Sequence, residues 1–257
     1  MQKYARDLER SNRDLQEFAF AASHDLQEPL RKIEAFGDLV LEKTDNLSSQ
    51  QLDLLARMRN SASRMRSMVD GILQLSRLET YAQPFQQVHL DQIMREVLVE
   101  LDVQVRKNNG IVEVCGLPEI EADPLQMRRL FQNLIGNALK FQVPGGQPRV
   151  KVCTEQAKRG FVQILVVDNG IGFDENHAGH IFEPFKRLVR QNEYEGSGMG
   201  LAICRKIVER HHGTITARSQ PGQGTTFYIT LPIYQDSSIP VFERKLNNGE
   251  KSHIVNR

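Results

Sequence analysis

The sequence predicts an α+β protein in which a pair of long N-terminal helices precedes a two-layer α/β domain. Three observations support this prediction. Apolar residues recur at helical spacing through roughly the first eighty positions. Beyond Pro84, short runs rich in β-branched residues alternate with helical stretches. The composition, with 40% hydrophobic and 25% charged residues among 257, is that of an ordinary soluble globular protein.

The charge pattern and the apolar runs exclude several classes of protein. The chain has 33 basic and 32 acidic residues, a net charge of +1 and no basic stripe that would suit a nucleic acid. Its longest apolar runs have the length of strands, so we expect no membrane span in this chain. The N-terminus is charged and polar, unlike a signal peptide. Three dispersed cysteines, Cys115, Cys153 and Cys204, are interpreted as reduced, buried side chains of a cytoplasmic protein.

The first helix is predicted from a heptad pattern that contains one polar position. The pattern alternates spacings of four and three through Tyr4, Leu8, Ser11, Leu15, Phe18 and Ala22. We expect the helix to continue to about Leu41, although Pro29 in its interior costs about 3 kcal/mol or kinks it. After a turn at 44–49, a second helix is predicted from about Gln50 to Leu78. One face of that helix carries Leu52, Leu55, Ala62, Met65, Val69 and Ile72.

Two amphipathic helices joined by a short loop predict an antiparallel hairpin. A single hairpin leaves one apolar stripe on each helix with little to cover it. Dimerisation into a four-helix bundle would bury both stripes. Packing of the hairpin on its own C-terminal domain would also bury them. The periodicity alone favours these two arrangements about equally.

The chain therefore divides into four predicted regions: a helical hairpin at 1–80, a linker at 81–87, an α+β domain at 88–233 and a poorly ordered tail at 234–257. In the α+β domain, Asp123 and Pro124 form a favourable helix start, because aspartate caps and proline suits the first helical position. The predicted helices of this domain are 90–105, 124–141 and 200–211. The predicted strands are 111–114, 119–122, 149–154, 161–167, 214–219 and 225–231.

Two glycine-containing segments of this domain suit a nucleotide. Asp168 ends a strand, and its carboxylate can accept a hydrogen bond from a base amino group while Gly170 and Gly172 let the backbone approach the ring. A second segment directly precedes a helix, where free N–H groups and the helix dipole favour a phosphate. It consists of Gly196, Ser197, Gly198, Met199, Gly200 and Leu201. It is neither a P-loop nor a Rossmann fingerprint. If each segment is considered alone, an ordinary turn would explain the Asp168 segment, and a flexible linker would explain the segment at 196–201.

A third segment lies on the predicted helix 124–141. Asn133 and Asn137 are four residues apart on one helical face, and Lys140 follows one turn later. The amide oxygen of Asn137 suits Mg²⁺, and Lys140 suits phosphate charge. A hydrogen-bonded pair between helices would also explain the asparagines. Together with a tight turn that ends at Thr225, the three segments are far more specific in this order than any one alone.

This set of segments resembles the Bergerat-fold ATP site that gyrase, MutL-type ATPases and histidine kinases share. The asparagines match the N box, the Asp168 segment the G1 box and the 196–200 segment the G2 box. Phe182 and Phe185 match the F box, whose phenylalanines pack a mobile lid. The resemblance implies a left-handed βαβ sandwich that binds ATP and Mg²⁺. It places Asp168 at the adenine amino group, Asn137 at the metal and Arg187 at the γ-phosphate. It places the other residues of these boxes, and Thr225, around the nucleotide.

The first predicted helix indicates which of these ATPase families the chain resembles. Its segment 23–30, SHDLQEPL, resembles the H box of histidine kinases in the variant of phytochrome-like light sensors. A neutral imidazole at His24 is a nucleophile near neutral pH. Asp25 can fix its tautomer and stabilise the cation that forms. A solvated surface histidine is the alternative, which the downstream ATP site argues against. Many bifunctional kinases carry Thr or Asn four residues after the histidine, whereas this chain has Glu28, which predicts weak phosphatase activity.

The resemblance implies the core of a two-component sensor histidine kinase. Its partners would be a second copy of the chain, a response-regulator receiver domain that accepts the phosphoryl group on aspartate, and an upstream sensory domain. Its catalytic residues would be His24, Asp25, Asn133, Lys140 and Arg187. A gyrase-like ATPase or an anti-sigma-type kinase would not need the H-box segment. A docking module with a degenerate nucleotide site is disfavoured because the asparagines, Asp168 and the glycines are intact.

Overall fold

The structure is a computed structural model that describes residues 2–44, 46–80, 82–155, 157–188 and 196–235, without the side chains of 2–21, 24, 79 and 80. The side chains of the predicted heptad seam from Tyr4 to Phe18, and the predicted tail from residue 236 onwards, lie outside this description. The described elements, in order, are α1 (Gln2–Lys43), α2 (Ser49–Thr80), β1 (Gln86–His89), α3 (Leu90–Lys107), β2 (Ile111–Val114), β3 (Glu119–Ala122), α4 (Pro124–Lys140), β4 (Arg149–Glu155), β5 (Phe161–Asp168), a 3₁₀ turn (Glu175–His177), α5 (Gly200–Arg210), β6 (Thr214–Gln220) and β7 (Gly224–Pro232).

Every predicted helix and strand is present, with ends that differ by at most two residues. Helix α1 runs through Pro29, as expected. The sequence did not predict β1, which pairs with β3 in antiparallel orientation. Only Val88 of this strand is buried, so its four residues carry too little apolar alternation to be recognised. Two residues of the segment predicted as a linker, Gln86 and Gln87, therefore belong to a strand.

The N-terminal helices form an antiparallel hairpin. Polar pairs join them at successive levels: Gln27 Nε2 donates to Asp70 Oδ1 at 2.6 Å, Arg66 pairs with Glu34, and Arg59 pairs with Asp38 at 2.6 Å. Between them, Leu30, Ala62 and Val69 form a small core. The predicted apolar face of α2 is thus divided, because Ala62 and Val69 pack against α1 whereas Leu52, Met65 and Ile72 are exposed.

The C-terminal domain is built on a five-stranded sheet in the order β2-β4-β5-β7-β6. Only β2 and β4 run parallel among these pairs, so the sheet is mixed and mainly antiparallel. Val152 and Val166 lie opposite each other and are fully buried in a core shared with α4 and α5. Helices cover this face of the sheet, which confirms the predicted two-layer α+β class.

A buried polar cluster fixes the start of α4. Asp123 caps the helix through Oδ1, and its Oδ2 accepts hydrogen bonds from Gln83 N at 2.8 Å and from Arg210 Nη1 at 3.1 Å. The backbone N–H of Asp123 donates to Nε2 of His211 at 3.0 Å. Burial lowers the pKa of His211 to about 4, so the ring is neutral and its Nδ1 donates to the Ile207 carbonyl. The cluster ties the segment that leaves the hairpin to α4 and α5.

Two further findings concern exposure. Of the three cysteines predicted to be buried, Cys204 is buried and Cys153 is only half-buried. Cys115 is exposed because it continues the outward-facing alternation of β2. None of the described helices combines the length and the hydropathy that crossing a membrane requires.

Candidate functional site

A cavity of about 300 Å³ lies between α4, the ends of β5 and β7, and the loop before α5. Apolar side chains, including Ile171, Phe173, Ile181 and Phe227, form part of its wall. The predicted site residues that line it are Asn133, Asn137, Lys140, Asp168, Gly172, Arg187, Gly196, Ser197, Gly198, Gly200, Leu201 and Thr225. Residues from five separate segments of the sequence therefore meet at one cavity.

Asp168 supplies a hydrogen-bond acceptor at the end of β5. Its Oδ1 accepts from Gly170 N at 2.8 Å and from Thr225 N at 3.1 Å. Its Oδ2 accepts no hydrogen bond from the described residues, so this oxygen can accept one from a ligand. Burial raises the pKa of the carboxyl to about 6, although the two backbone hydrogen bonds act in the opposite direction.

Gly170 packs behind the cavity and does not line it. A Cβ at this position would lie 2.3 Å from the carbonyl oxygen of Phe141. The next residue, Ile171, donates its N–H to that same oxygen at 2.9 Å. Glycine is required because only a residue without a side chain lets the loop after β5 approach the end of α4 so closely. This contact holds Asp168 beside the asparagine-bearing helix.

Cationic side chains converge near Gly196. The Arg187 guanidinium donates to the Gly196 carbonyl at 3.0 Å, and Lys140 Nζ lies 2.7 Å from the place where a Cβ of Gly196 would stand. Lys186 also lines the cavity, although the sequence analysis did not select it. Its position next to Arg187, directly after the phenylalanine pair, was the signal that could have identified it. Three cationic side chains in the wall of one cavity, two of them beside Gly196, suit a polyphosphate.

The two asparagines of α4 provide a donor and an acceptor. Asn133 Nδ2 is buried and has no hydrogen-bond partner among the described residues. A buried donor without a partner is costly, so a phosphate oxygen in the cavity would satisfy it. Asn137 lines the cavity one turn later, and its amide oxygen is a suitable ligand for Mg²⁺, which is often held by few protein groups together with phosphates. The donor set therefore fits Mg·ATP.

Phe182, Phe185 and Met199 do not line the cavity, although they belong to the predicted nucleotide-binding set. Phe182 is buried and packs edge-on against Phe227, with ring centroids 6.3 Å apart, so it supports the wall from behind. The backbone of Phe185 has φ of +64° and lies about 3 Å from where a Cβ of Gly198 would be. The glycine thus permits contact between the backbone at Phe185 and the loop before α5.

Met199 connects this loop to the helical hairpin. Its side chain is buried against Gly71 of α2, where a Cβ would lie 2.4 Å from Met199 Cγ. The contact was not predictable from the sequence, since nothing local to either residue indicates the other.

The predicted phosphoacceptor lies on α1. The side chain of His24 is outside the described part of the structure, and Asp25 is exposed. Glu28 is also exposed and pairs with Lys32, with Oε1 2.6 Å from Nζ. Neither Asp25 nor Glu28 lines the cavity, whose described residues all come from the part of the chain that follows the hairpin.

Two family models match the chain. Residues 14–81 match the His Kinase A (phospho-acceptor) domain, and residues 122–235 match the Histidine kinase-, DNA gyrase B-, and HSP90-like ATPase. The first match contains His24, and the second contains every residue that lines the cavity.

Curated relatives are similar along almost the whole chain. Phytochrome-like protein Cph1 of Synechocystis sp. is 37% identical over 230 residues, which are 89% of this chain and 30% of that protein. Cyanobacterial phytochrome A of Nostoc sp. is 36% identical over 249 residues, which are 96% of this chain and 32% of that protein. The chain thus spans about a third of the length of these relatives.

Solved structures are similar in fold. Full-length ShkA in complex with AMPPNP superposes with a TM-score of 0.62 and 25% identity, over 86% of this chain and 46% of that one. Histidine kinase ThkA in complex with response regulator protein TrrA gives a TM-score of 0.58 over 91% of this chain and 67% of that one. Its identity of 24% limits that comparison to the fold.

Proposed function

Because this chain belongs to the sensor histidine kinase family, with a phosphoacceptor domain followed by an ATPase domain, we propose that it transfers the γ-phosphate of ATP to His24. The observation that carries the proposal is the convergence of Asp168, both asparagines of α4 and three cationic side chains on one cavity, in a chain that also has the phosphoacceptor segment. The domain division at 1–80 and 88–233 is part of the proposal.

ATP would be held at both of its ends. Asp168 Oδ2 would accept a hydrogen bond from the adenine amino group, since Oδ1 already accepts two backbone hydrogen bonds. Asn133 Nδ2 would donate to a phosphate oxygen, and Lys140, Lys186 and Arg187 would balance the phosphate charge. Asn137 would hold Mg²⁺, which when bound neutralises phosphate charge during transfer.

The chemical step requires little covalent work from the protein. A ring nitrogen of His24 would attack the γ-phosphorus in line, the bond to the bridging oxygen would break, and ADP would leave. Asp25 would accept a hydrogen bond from the other ring nitrogen and stabilise the imidazolium. The rate would come from positioning and from the cationic side chains that line the cavity, which would stabilise the charge on the transferring group.

Incubation with γ-labelled ATP tests the proposal. A phosphohistidine is labile in acid and stable in alkali, so the chain should acquire a label with these properties. Hydrolysis of ATP without such a label would instead identify a gyrase-like ATPase. Absence of both label and hydrolysis would identify a docking module without enzymatic activity.

We also propose that the chain forms a homodimer through its hairpin. On each helix of the described hairpin, exposed apolar side chains recur every seven residues: Leu26, Ile33 and Val40 on α1, and Met58, Met65 and Ile72 on α2. Because the helices are antiparallel and joined by polar pairs at successive levels, these two stripes lie side by side. A seven-residue repeat is typical of helices that pack in a bundle, and pairing of two hairpins would cover both stripes.

Mixed dimers test this arrangement. Asn137→Ala should lose Mg·ATP binding but keep the acceptor, whereas His24→Gln should keep binding but lose the acceptor. Neither variant should be labelled alone. If one subunit phosphorylates the other, mixing them should restore up to about a quarter of the normal label, on the Asn137→Ala chain only. The quarter assumes random subunit exchange and one competent pairing in each mixed dimer.

Subunit exchange should be verified with two affinity tags. If the subunits exchange but no label appears, the phosphoryl group is transferred within one subunit. A monomeric sedimentation coefficient at micromolar concentration would contradict the dimer.

The proposed acceptor of the phosphoryl group is an aspartate in a response-regulator receiver domain, which would dock on the hairpin near His24. Relevant support comes from the phosphoacceptor family match and from the fold shared with ThkA, which was solved with a response regulator. We place the reaction in the cytoplasm, where ATP is available and thiols such as Cys115 stay reduced.

Glu28→Thr is expected to raise the rate at which the protein dephosphorylates its receiver, by roughly tenfold. Glu28 lies one helical turn after His24, where its negative charge opposes an attacking water and an anionic phosphoryl group. The ion pair with Lys32 offsets part of this effect, so Lys32→Gln should lower the rate. The measurement is the decay of purified phospho-receiver in the presence of ADP. Rapid decay with the unchanged protein, slowed in Glu28→Thr, would reverse the assignment.

A further inference from the structure

Cys115 and Cys153 lie next to each other in the five-stranded sheet, although they are distant in the sequence. Strands β2 and β4 run parallel, with Val114 opposite Val152. Cys115 N donates to the Val152 carbonyl at 2.9 Å, which continues the parallel ladder by one residue and sets Cys115 opposite Cys153. Adjacent strands are about 4.8 Å apart, within the Cα separation of about 4.4–6.8 Å that a disulfide spans.

Both thiols are on the face of the sheet that the helices leave uncovered. Val150 and Val152 are buried in the core, so the alternation along β4 directs Cys153 to the opposite face. Cys115 is exposed and Cys153 is half-buried, and both are free thiols. Burial raises the pKa of the Cys153 thiol, and the nearby Cys115 raises it further by a smaller amount.

The backbone can adjust to a covalent bond at this place. Cys115 follows the last residue of β2, and Gly116 comes directly after it with φ of +35° and open space on its Cβ side. A glycine beside one partner lets the chain make the small shift that a disulfide between neighbouring strands requires. Strained or exposed disulfides of this kind are the labile ones, which reducing agents open readily.

We propose that Cys115 and Cys153 are a redox-reversible pair that closes to a disulfide when the protein meets a peroxide. The exposed Cys115, as thiolate, would attack one peroxide oxygen, so that an S–O bond forms, the O–O bond breaks and hydroxide leaves. The Cys153 sulfur would then attack the Cys115 sulfenic acid, the S–O bond would break, and water would leave with the thiol proton. Two thiols are oxidised to one disulfide while one peroxide is reduced to two waters.

The chain contains its own unreactive control. Cys204 is fully buried on α5, and burial raises the pKa of its thiol far above the ordinary range. Neither Cys115 nor Cys153 lines the nucleotide cavity. Oxidation is therefore expected to link these two residues, to spare Cys204 and to leave ATP affinity unchanged.

The experiment treats the full chain with hydrogen peroxide and maps its peptides by mass spectrometry without reduction. We expect one peptide pair linked through Cys115 and Cys153, lost on addition of dithiothreitol. Cys115→Ser and Cys153→Ser should each abolish the link, and Cys204→Ser should leave it intact. The link should also form at least about tenfold faster in the native protein than in concentrated urea, because the sheet holds the sulfurs together.

Three results would overturn the proposal. They are the absence of the Cys115–Cys153 link after full consumption of the exposed thiol, a link that forms equally fast in urea, and a predominant link to Cys204 or to a second chain. Amide exchange gives a second measurement, since the disulfide should slow exchange in β2 by blocking the separation of this edge strand from β4.

Discussion

His24→Gln is expected to abolish labelling of the chain by γ-labelled ATP while ATP affinity stays unchanged. Glutamine is polar and similar in size, so it suits the same helical position, but its amide nitrogen is not a nucleophile. The loss should be complete, since the other histidines of the chain lie outside the phosphoacceptor match. Affinity should survive because none of the described side chains of α1 lines the nucleotide cavity.

The measurement pairs labelling with calorimetric titration of ATP. A suitable control is His177→Gln, which changes an exposed histidine of the ATPase domain and should be labelled normally. Alkali-stable label on the His24→Gln protein would assign the acceptor to another residue. Loss of ATP binding in that variant would show that the hairpin contributes to the nucleotide site.

Asp168→Asn should weaken ATP binding by roughly 100-fold or more. The amide oxygen can still accept hydrogen bonds from Gly170 N and Thr225 N. The amide NH₂ would then stand where Oδ2 stood and would meet the adenine amino group, donor against donor. Titration calorimetry at pH 7.5 gives the affinity. Asp102→Asn, on the exposed surface of α3, is the matched control and should bind ATP normally.

The same substitution should stabilise the protein without nucleotide. Burial raises the pKa of Asp168 from 3.8 to about 6, so the folded chain binds this proton more tightly than the unfolded chain. The carboxyl therefore favours folding most below about pH 4, and this contribution is lost as pH rises through 6. At pH 7.5 the buried charge costs about 1–3 kcal/mol, which asparagine removes.

Urea unfolding at two pH values shows whether Asp168→Asn raises or lowers the free energy of unfolding. The gain in the free energy of unfolding from Asp168→Asn should be present at pH 7.5 and largely absent at pH 4.5. A variant that is less stable at pH 7.5 would mean that the carboxylate is held by stronger interactions than its two backbone hydrogen bonds. Together, calorimetry and urea unfolding separate the contribution of Asp168 to ATP affinity from its effect on the free energy of unfolding.

The elements of the fold were predictable from the sequence because their signals are local. The start of helix α4 is predicted by Asp123 and Pro124, and in the structure Asp123 is the N-cap of that helix. Strands β2 and β3 were predicted with the bounds that they have, since each is a short β-branched or alternating run between turn residues. The glycine-rich segments identified the loops that border the cavity, because glycine permits the close backbone approach that the structure has at Gly170, Gly172 and Gly198.

The elements that the sequence did not indicate depend on partners that are distant in the chain. Strand β1 exists through its pairing with β3, and only Val88 of it is buried. Nothing near Met199 in the sequence indicates its contact with Gly71, and nothing near His211 indicates that burial beside Asp123 will keep its ring neutral. Lys186 adjoins Arg187 in the sequence, but only the position of its loop shows that it lines the cavity.

The sequence by itself determined the family and the order of the phosphoacceptor and ATPase domains, because both depend on residue types at short, fixed spacings. The acceptor and the nucleotide boxes are predictions from the same spacings. Tertiary structure alone decided which box residues line the cavity and which, like Phe182, support it from behind. It also decided that Cys115 and Cys153 meet, through the register of two strands far apart in the sequence. The physical reason is the same in both cases: burial, pKa and proximity are set by neighbours in space, and those neighbours are fixed only when the chain has packed.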